Sequence, residues 1–211
     1  MNLYLEIENA IKRIKGKIVL DHISLEMEKG KIYGLRGING SGKTMLMRAI
    51  AGLLHLTEGK VMVAGKTIGK EISFPESLGL FIESPAFISR YTGHKNLLLL
   101  AELKEGIATF EVEETLKNVG LDPGDRRTYR KYSLGMKQRL GIACALMEHP
   151  ELILLDEPFN ALDESGVAQI RELIIKEKER GALIILSCHD QAELESLSDE
   201  IFYMRDGKIL S

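Results

Sequence analysis

The chain has 211 residues, of which 45% are hydrophobic and 28% are charged, so it can bury the core of one large globular domain. Its net charge of −3 excludes the basic surface of a general nucleic-acid binder, and its two cysteines exclude a disulfide framework and indicate a reducing compartment. Its apolar runs fall short of the ~18 residues that a membrane-spanning helix needs, and we expect no signal peptide at its N-terminus.

Alternating and continuous apolar residues predict a strand-rich first part of the chain. Leu3, Leu5 and Ile7 alternate with polar residues, as they do in a half-buried strand. Similar patterns predict strands at residues 20–27, 31–36, 61–63 and 78–82, a hairpin turn at Gly65-Lys66, and a helix at residues 43–54.

The middle of the chain, from about residue 84 to residue 148, has helical spacing. Three helices are predicted. The first runs through residues 96–103 with Thr92 as its cap, the second runs from Thr109 as its cap to Gly120, and the third runs from Ser133 as its cap to residue 147. We interpret the basic stretch at residues 124–131 as a solvated loop. Strands and helices then alternate, with strands at 152–155, 183–186, 201–204 and 208–210 and helices at 164–180 and 192–197.

This order of elements predicts an α/β protein with a mainly parallel sheet. We expect a single domain of residues 1–211. Residues 1–83 and 149–211 would form an α/β core with an N-terminal antiparallel β subdomain, and residues 84–148 would form an inserted α-helical subdomain.

A glycine-rich loop lies between the strand at 31–36 and the helix that follows it. Residues 37–44 read G-I-N-G-S-G-K-T and match G-x-x-x-x-G-K-[ST] in the context that this motif needs. Its backbone amides and the helix N-terminus bind phosphates, its lysine adds a cation, and its threonine hydroxyl suits Mg²⁺. The sequence therefore predicts a site for ATP and Mg²⁺ made by Gly37, Ile38, Asn39, Gly40, Ser41, Gly42, Lys43 and Thr44.

Acidic and histidine side chains follow two other buried strands. Asp156 and Glu157 come directly after residues 152–155, and His189 follows residues 183–186. Because ligands of an open parallel sheet bind at the carboxyl ends of its strands, we expect these side chains beside the phosphate loop. Asp156 would then hold Mg²⁺, Glu157 would act as the general base on water, and His189 would contact the γ-phosphate or that water.

With these motifs in order, the sequence resembles the ATP-binding subunits of ABC (ATP-binding-cassette) transporters over nearly its whole length. Residues 37–44 resemble the Walker A loop, residues 152–157 resemble Walker B with the catalytic glutamate, and His189 resembles the switch histidine. Residues 132–136, which read Y-S-L-G-M and precede K-Q-R, resemble the family signature LSGGQ. The resemblance implies a P-loop NTPase fold, an ATPase activity and, at Asp163 in the D-loop, a further nucleotide contact.

The resemblance also implies that one chain holds half of each site. In the family, the signature of one subunit faces the γ-phosphate bound to the other, so Ser133 and Gly135 would complete a partner's site. An ordinary capped helix accounts for Ser133 but not for Gly135, because glycine weakens a first helical turn. We expect a homodimer, or a heterodimer with a second cassette, held at the cytoplasmic face of the membrane by a separate transmembrane permease subunit, with no nucleic-acid partner.

Three positions depart from the family pattern. Leu134 replaces a glycine of the signature. The resulting Leu-Gly-Met form resembles the subgroup that includes bacitracin-type peptide-antibiotic exporters, and this resemblance favours export over import. Glu83 stands where the Q-loop glutamine is expected, and its carboxylate would remain a Mg²⁺ ligand beside Thr44 and Asp156. Ile14 stands where many members stack an aromatic ring on adenine, so discrimination between ATP and GTP should be weak, with Tyr4 as the fallback aromatic.

Two other functions remain open at this point. Soluble ABC ATPases without a transport role carry tandem cassettes or long coiled coils, which this sequence lacks. A regulatory ATP-binding module without turnover is disfavoured by the presence of both Glu157 and His189. The segment at residues 83–95, with Pro85, Phe87 and Ile88, would either contact the permease or seal the seam between the subdomains.

Overall fold

The computed structural model describes residues 3–83, 86–103 and 108–210, and the elements below lie within those ranges. The ten strands are β1 (Leu3–Ile14), β2 (Lys17–Glu28), β3 (Ile32–Arg36), β4 (Glu58–Val63), β5 (Lys66–Thr67), β6 (Leu78–Phe81), β7 (Leu152–Asp156), β8 (Leu183–Ser187), β9 (Glu200–Arg205) and β10 (Lys208–Leu210). The six α-helices are α1 (Lys43–Ile50), α2 (Gly93–Ala101), α3 (Thr109–Asn118), α4 (Leu134–Leu146), α5 (Glu164–Glu179) and α6 (Gln191–Leu197).

The strands form two sheets. The smaller sheet has the order β2-β1-β4-β5 and is antiparallel throughout. The larger sheet has the order β10-β9-β3-β8-β7-β6, and all of its pairs are parallel except the hairpin of β9 and β10. An α/β fold with a mainly parallel sheet and an N-terminal antiparallel sheet is therefore confirmed.

The larger sheet separates two hydrophobic cores, because alternate residues of a strand point to opposite faces. Ile153 and Leu155 of β7 face the core that α4, α5 and α6 cover. Leu152 and Leu154 of the same strand face the core that contains α1 and the antiparallel sheet. The two layers fix the ends of β3, β7 and β8 at one edge, where the loops of the site begin.

Helices α2, α3 and α4 lie in the chain between β6 and β7. Two of their three N-cap residues are the predicted ones. Thr92 and Ser133 cap α2 and α4 with their side chains, as predicted. The cap of α3 is Ala108 rather than Thr109, and the Glu111 carboxylate accepts the Ala108 N–H at 2.6 Å. The division into subdomains stays a prediction, and its boundary at residues 83 and 84 adjoins positions outside the described residues.

Two further predictions need correction. The first helix ends at Ile50 rather than at residue 54, because Gly52 adopts a φ of +79° and turns the chain. The basic stretch 124–131 is not entirely loop, since it ends in a short 3₁₀ helix at Tyr129–Lys131.

Both cysteines are free thiols, Cys188 buried and Cys144 half-buried. Burial raises the pKa of the Cys144 thiol and that of the Cys188 thiol to about 11. Neither thiol is therefore ionised near neutral pH. In the described part of the chain, the helices are too short or too polar to cross a membrane.

Strand β6 packs against α4 with no space for a side chain at Gly79. A Cβ atom there would lie 2.1 Å from the Ala145 carbonyl oxygen and 2.6 Å from the Pro150 ring. We expect Gly79→Ala to destabilise the protein by about 1–3 kcal/mol, because backbone must move to admit the methyl group. Denaturant unfolding measures this change.

Gly124→Ala is the matched control. Its Cβ would lie 3.2 Å from Asp122 Oδ1 in an exposed loop, so its effect should stay within about 0.5 kcal/mol. Equal destabilisation by the two substitutions would contradict the packing argument.

Candidate active site

The glycine-rich loop connects β3 to α1 and encloses its own lysine. Gly42 precedes the helix with a φ of +111°, a conformation that favours glycine. The Lys43 side chain is only 7% exposed, and its Nζ donates to the Gly37 carbonyl at 2.7 Å. The loop therefore already surrounds a cation at the place where an anion would bind.

The phosphate loop is tied to the C-terminal hairpin. The Gly207 N–H donates to the Ser41 carbonyl at 3.0 Å. A Cβ atom at Gly37 would lie 2.3 Å from the Met204 carbonyl oxygen. These close approaches leave room for glycine alone at Gly37, so that glycine serves packing within the chain.

Asp156 ends β7 beside the first turn of α1. Its Oδ2 accepts from the Thr44 hydroxyl at 2.6 Å, and its Oδ1 accepts from the Ser187 hydroxyl at 2.5 Å. Two adjacent hard oxygen donors fit Mg²⁺, which proteins bind through one or two such ligands together with substrate phosphates.

Glu157 and His189 face each other at the ends of β7 and β8. The backbone N–H of His189 donates to Glu157 Oε2 at 3.0 Å, and the ring Nε2 of His189 lies 3.5 Å from Glu157 Oε1. Burial raises the pKa of Glu157, and the nearby charge of Asp156 acts in the same direction, while His189 and Lys43 oppose them. The raised pKa brings the carboxyl closer to the range in which a general base operates.

A cavity of about 670 Å³ joins these groups. The predicted site residues that line it are Asn39, Gly40, Ser41, Gly42, Lys43, Thr44, Glu83, Asp156, Glu157 and His189. Five others do not line it: Gly37, Ile38, Ser133, Gly135 and Asp163. Gly37 and Ile38 face a neighbouring cavity, and the Ile38 side chain is exposed.

Glu83 lines the cavity, but its carboxylate forms an ion pair with Arg48. Its Oε1 lies 2.7 Å from the Arg48 guanidinium, and the Glu83 side chain is more exposed than that of Arg48. The metal role of Glu83 therefore stays a prediction, because its carboxylate is not joined to Thr44 or Asp156 in this structure.

The signature residues have explanations within the chain. The Ser133 hydroxyl accepts the Met136 N–H at 3.2 Å and caps α4. A Cβ atom at Gly135 would lie 2.8 Å from the Ala161 carbonyl oxygen. The close approach of the Ala161 backbone therefore supplies a reason within the chain for a small residue at Gly135, and its contact with a partner's nucleotide stays a prediction.

Asp163 has a structural role in this chain. Its Oδ1 accepts the Gly166 N–H at 3.0 Å, capping α5, and lies 3.3 Å from the Arg139 guanidinium. Within one chain it makes no contribution to the nucleotide cavity. Its nucleotide contact stays a prediction for an assembled dimer.

Two residues outside the predicted set also shape the site, Gln138 and Ser187. Gln138 Nε2 donates to the Glu157 carbonyl at 2.8 Å and to the Pro158 carbonyl at 3.0 Å, so it ties α4 to the turn after β7. Ser187 bonds both Asp156 and the Glu157 N–H. The sequence signals for these two residues are the motif K-Q-R and the position of Ser187 at the end of β8, two residues before His189.

The hairpin of β1 and β2 forms one side of the cavity, where the base is expected. Ile14, Lys15, Lys17 and Val19 line it, and no aromatic side chain does so among the residues that the structure describes. Tyr4 is wrong as a fallback, because it is buried and its hydroxyl donates to Glu151.

Comparison with known proteins gives one consistent family. The sequence pattern of the family described as ABC transporter matches residues 20–160. The chain is 44% identical over 205 residues to the uncharacterized ABC transporter ATP-binding protein YybJ of Bacillus subtilis (strain 168), covering 97% of this chain and 94% of YybJ. It is 42% identical over 212 residues to the bacitracin transport ATP-binding protein BcrA of Enterococcus faecalis, covering 100% of this chain and 69% of BcrA.

Solved structures show the same fold. An ATP-binding subunit of an ABC transporter superposes with a TM-score of 0.87 at 27% identity, over 99% of this chain and 88% of the other. The dimeric structure of MJ0796, a bacterial ABC transporter cassette, gives a TM-score of 0.88 at 24% identity, over 98% and 97% of the two chains. The chain therefore belongs to the ABC transporter family, as an ATP-binding subunit whose ATPase activity drives transport through a separate membrane subunit.

Proposed function

We propose that two cassettes, at least one of them this chain, close head to tail on two ATP molecules, and that hydrolysis powers export. One observation carries this proposal: the cavity gathers Lys43, Thr44, Asp156, Glu157 and His189 but leaves the signature outside. A single chain thus supplies the phosphate loop and the base from one surface and the signature from another. A second cassette would bring the missing signature to the cavity.

The chemistry proposed for this site begins with the phosphates in the loop of residues 37–44. Lys43 leaves the Gly37 carbonyl for the phosphates, to which its charge is better matched. Thr44 and Asp156 would hold Mg²⁺, with Glu83 as a further ligand, and the metal would supply charge neutralisation between the phosphates.

Glu157 then acts as the base. Its ionised carboxylate orients a water molecule and takes a proton as the water attacks the γ-phosphate. His189 stands 3.5 Å from that carboxylate and fixes its direction through the backbone N–H. In the closed dimer, Ser133 and Gly135 of the second cassette would add hydrogen-bond donors at the helix N-terminus.

The membrane partner would sit on the surface around residues 86–95, at the cytoplasmic face. Phe87 packs edge-on against Tyr129 at 5.3 Å and seals the subdomain, whereas Ile88 is exposed and free to contact a permease helix. Pro85, also expected there, lies outside the described residues. The name of BcrA, which specifies bacitracin transport, supports a peptide antibiotic as the class of cargo.

Glu157→Gln tests the base. We expect hydrolysis to fall about 10²- to 10⁴-fold, because the positioned base is lost. ATP binding should persist, and the variant should elute as a dimer at saturating ATP because it cannot reopen. Steady-state phosphate release and size-exclusion chromatography measure the two effects.

Glu179→Gln, on the exposed end of α5, is the control and should behave as the native chain. A monomeric Glu157→Gln variant at saturating ATP would count against the head-to-tail site. Native turnover in that variant would refute the base.

The ionised carboxyl of Glu157 should also lower the stability of the folded protein when no nucleotide is bound. Because the pKa of Glu157 is raised in the folded state, its ionisation disfavours folding above its ordinary pKa, and the penalty fades as pH falls toward about 4. Glu157→Gln keeps the acceptor for the His189 N–H and removes the charge. It should melt above the native chain at pH 7.5, and the gap should narrow at pH 5; a variant that melts lower at both pH values would contradict the assignment.

Ile14 sets the expected nucleotide preference. With an aliphatic side chain at the base, ATP should be preferred over GTP by less than about 100-fold, or roughly 2.7 kcal/mol. Ile14→Tyr should tighten binding of both nucleotides by about three- to tenfold, since aromatic stacking is worth about 0.5–1.5 kcal/mol. Competition against a fluorescent nucleotide measures both quantities.

Ile18→Tyr is the matched control. Ile18 and Ile14 are similarly exposed, at 39% and 37%, but Ile18 does not line the cavity. Equal gains in nucleotide affinity from the two tyrosine variants would refute the placement of the base beside Ile14. A native preference for ATP over GTP of more than about 100-fold would do the same.

A further inference from the structure

The ion pair of Arg48 and Glu83 joins the helix after the phosphate loop to the residues that follow β6. Arg48 lies one helical turn beyond Thr44 in α1, on the same side of the helix. Its Nη2 lies 2.7 Å from Glu83 Oε1. Arg48 is 33% exposed and Glu83 is 63% exposed, so the pair sits at the mouth of the site and not in the core.

Glu83 faces the nucleotide cavity from a strained backbone position. It lines the 670 Å³ cavity and also an adjoining cavity of about 380 Å³ beside Leu134 and Gln138. Its φ is +58°, a conformation that costs a residue with a side chain free energy. The strained backbone sets the direction in which the Glu83 side chain leaves the chain, and the Glu83 carboxylate contacts Arg48.

Three carboxylates thus face a cavity that must accept a triphosphate: Glu83, Asp156 and Glu157. Asp156 accepts two hydroxyl hydrogen bonds, and Glu157 has His189. In the described part of the chain, Arg48 is the one cation within ion-pair distance of Glu83. A negative charge at Glu83 without that cation would repel the phosphates.

We propose that Arg48 is a positioning residue that neutralises and holds Glu83, and so makes a carboxylate tolerable at a cavity that accepts a triphosphate. The proposal rests on ATP binding in the cavity of the proposed function. It assigns Arg48 an effect on nucleotide affinity that acts through Glu83 and not through the phosphates themselves.

A double-mutant cycle separates these two routes. ATP binding to the purified chain is measured in EDTA by displacement of a fluorescent nucleotide, so that a metal role of Glu83 does not enter. Arg48→Met should weaken ATP binding about five- to tenfold, because Glu83 is left unpaired. Arg48→Met combined with Glu83→Gln should return to within about threefold of native affinity, because the uncompensated charge is gone.

Three additional measurements exclude a merely structural role. Arg48→Lys should recover most of the affinity, and the deficit of Arg48→Met should shrink in 0.5 M salt, since exposed charges are screened. Without nucleotide, Arg48→Met should melt with the native chain, because an exposed pair contributes little to folding. Lys66→Met is the control. It breaks the exposed Lys66–Glu76 ion pair of 2.6 Å, which does not line the cavity, and it should leave ATP affinity unchanged.

The outcomes decide the proposal. A double variant as weak as Arg48→Met would show that Arg48 acts on the phosphates directly, and native affinity in Arg48→Met would show that the pair has no bearing on binding; each overturns it while native ATP binding stands. A native chain that fails to bind ATP would overturn the proposed function and this proposal together.

Discussion

The parallel alignment of β3, β8 and β7 is the constraint on which the site depends. Leu35 pairs with Ser187, and Ser187 pairs with Asp156, so three strands end level at one edge of the sheet. Ser187 lies at the centre of this edge, where its hydroxyl donates to Asp156 and accepts from the Glu157 N–H. A shift of one residue in either pair would separate the phosphate loop from the carboxylates that follow β7.

The sequence predicts this part of the molecule well because its signals are local. A continuous apolar run such as residues 152–155 has one natural place, between other strands under helices. The phosphate loop carries its own glycines, and Ser133 carries its own capping hydroxyl. Each of these features needs only the residues next to it, so the fold class and the groups that line the cavity follow from the printed sequence.

Features that depend on tertiary contacts could not be predicted in this way. Gly135 is required by the carbonyl of Ala161, 26 positions away, and Glu83 is paired with an arginine 35 positions before it. The end of α1 depends on Gly52, whose Cβ would meet the Ser73 carbonyl oxygen at 2.3 Å. Chain neighbours do not encode such approaches, which is why these residues were given other roles or boundaries.

Left-handed backbone occurs at several residues that line the nucleotide cavity or the cavity that adjoins it. Glu83, Glu157 and Ala161 all have positive φ values, of +58°, +54° and +61°. Left-handed conformations at such residues persist where surrounding contacts determine them, as the two bonds from the Glu157 N–H to Ser187 do here. The loops of this site are therefore held by the sheet and not by their own preferences.

The turn at Gly207 gives the hairpin of β9 and β10 an unexpected importance. Its N–H binds the Ser41 carbonyl of the phosphate loop at 3.0 Å, and its carbonyl accepts the Asp21 N–H of the antiparallel sheet at 2.8 Å. Gly207 thus links the antiparallel sheet, whose β1–β2 hairpin lines the cavity, to the phosphate loop, which also lines it. Because Gly207 does not line the cavity itself, a substitution at this turn would imitate a defect in the pocket.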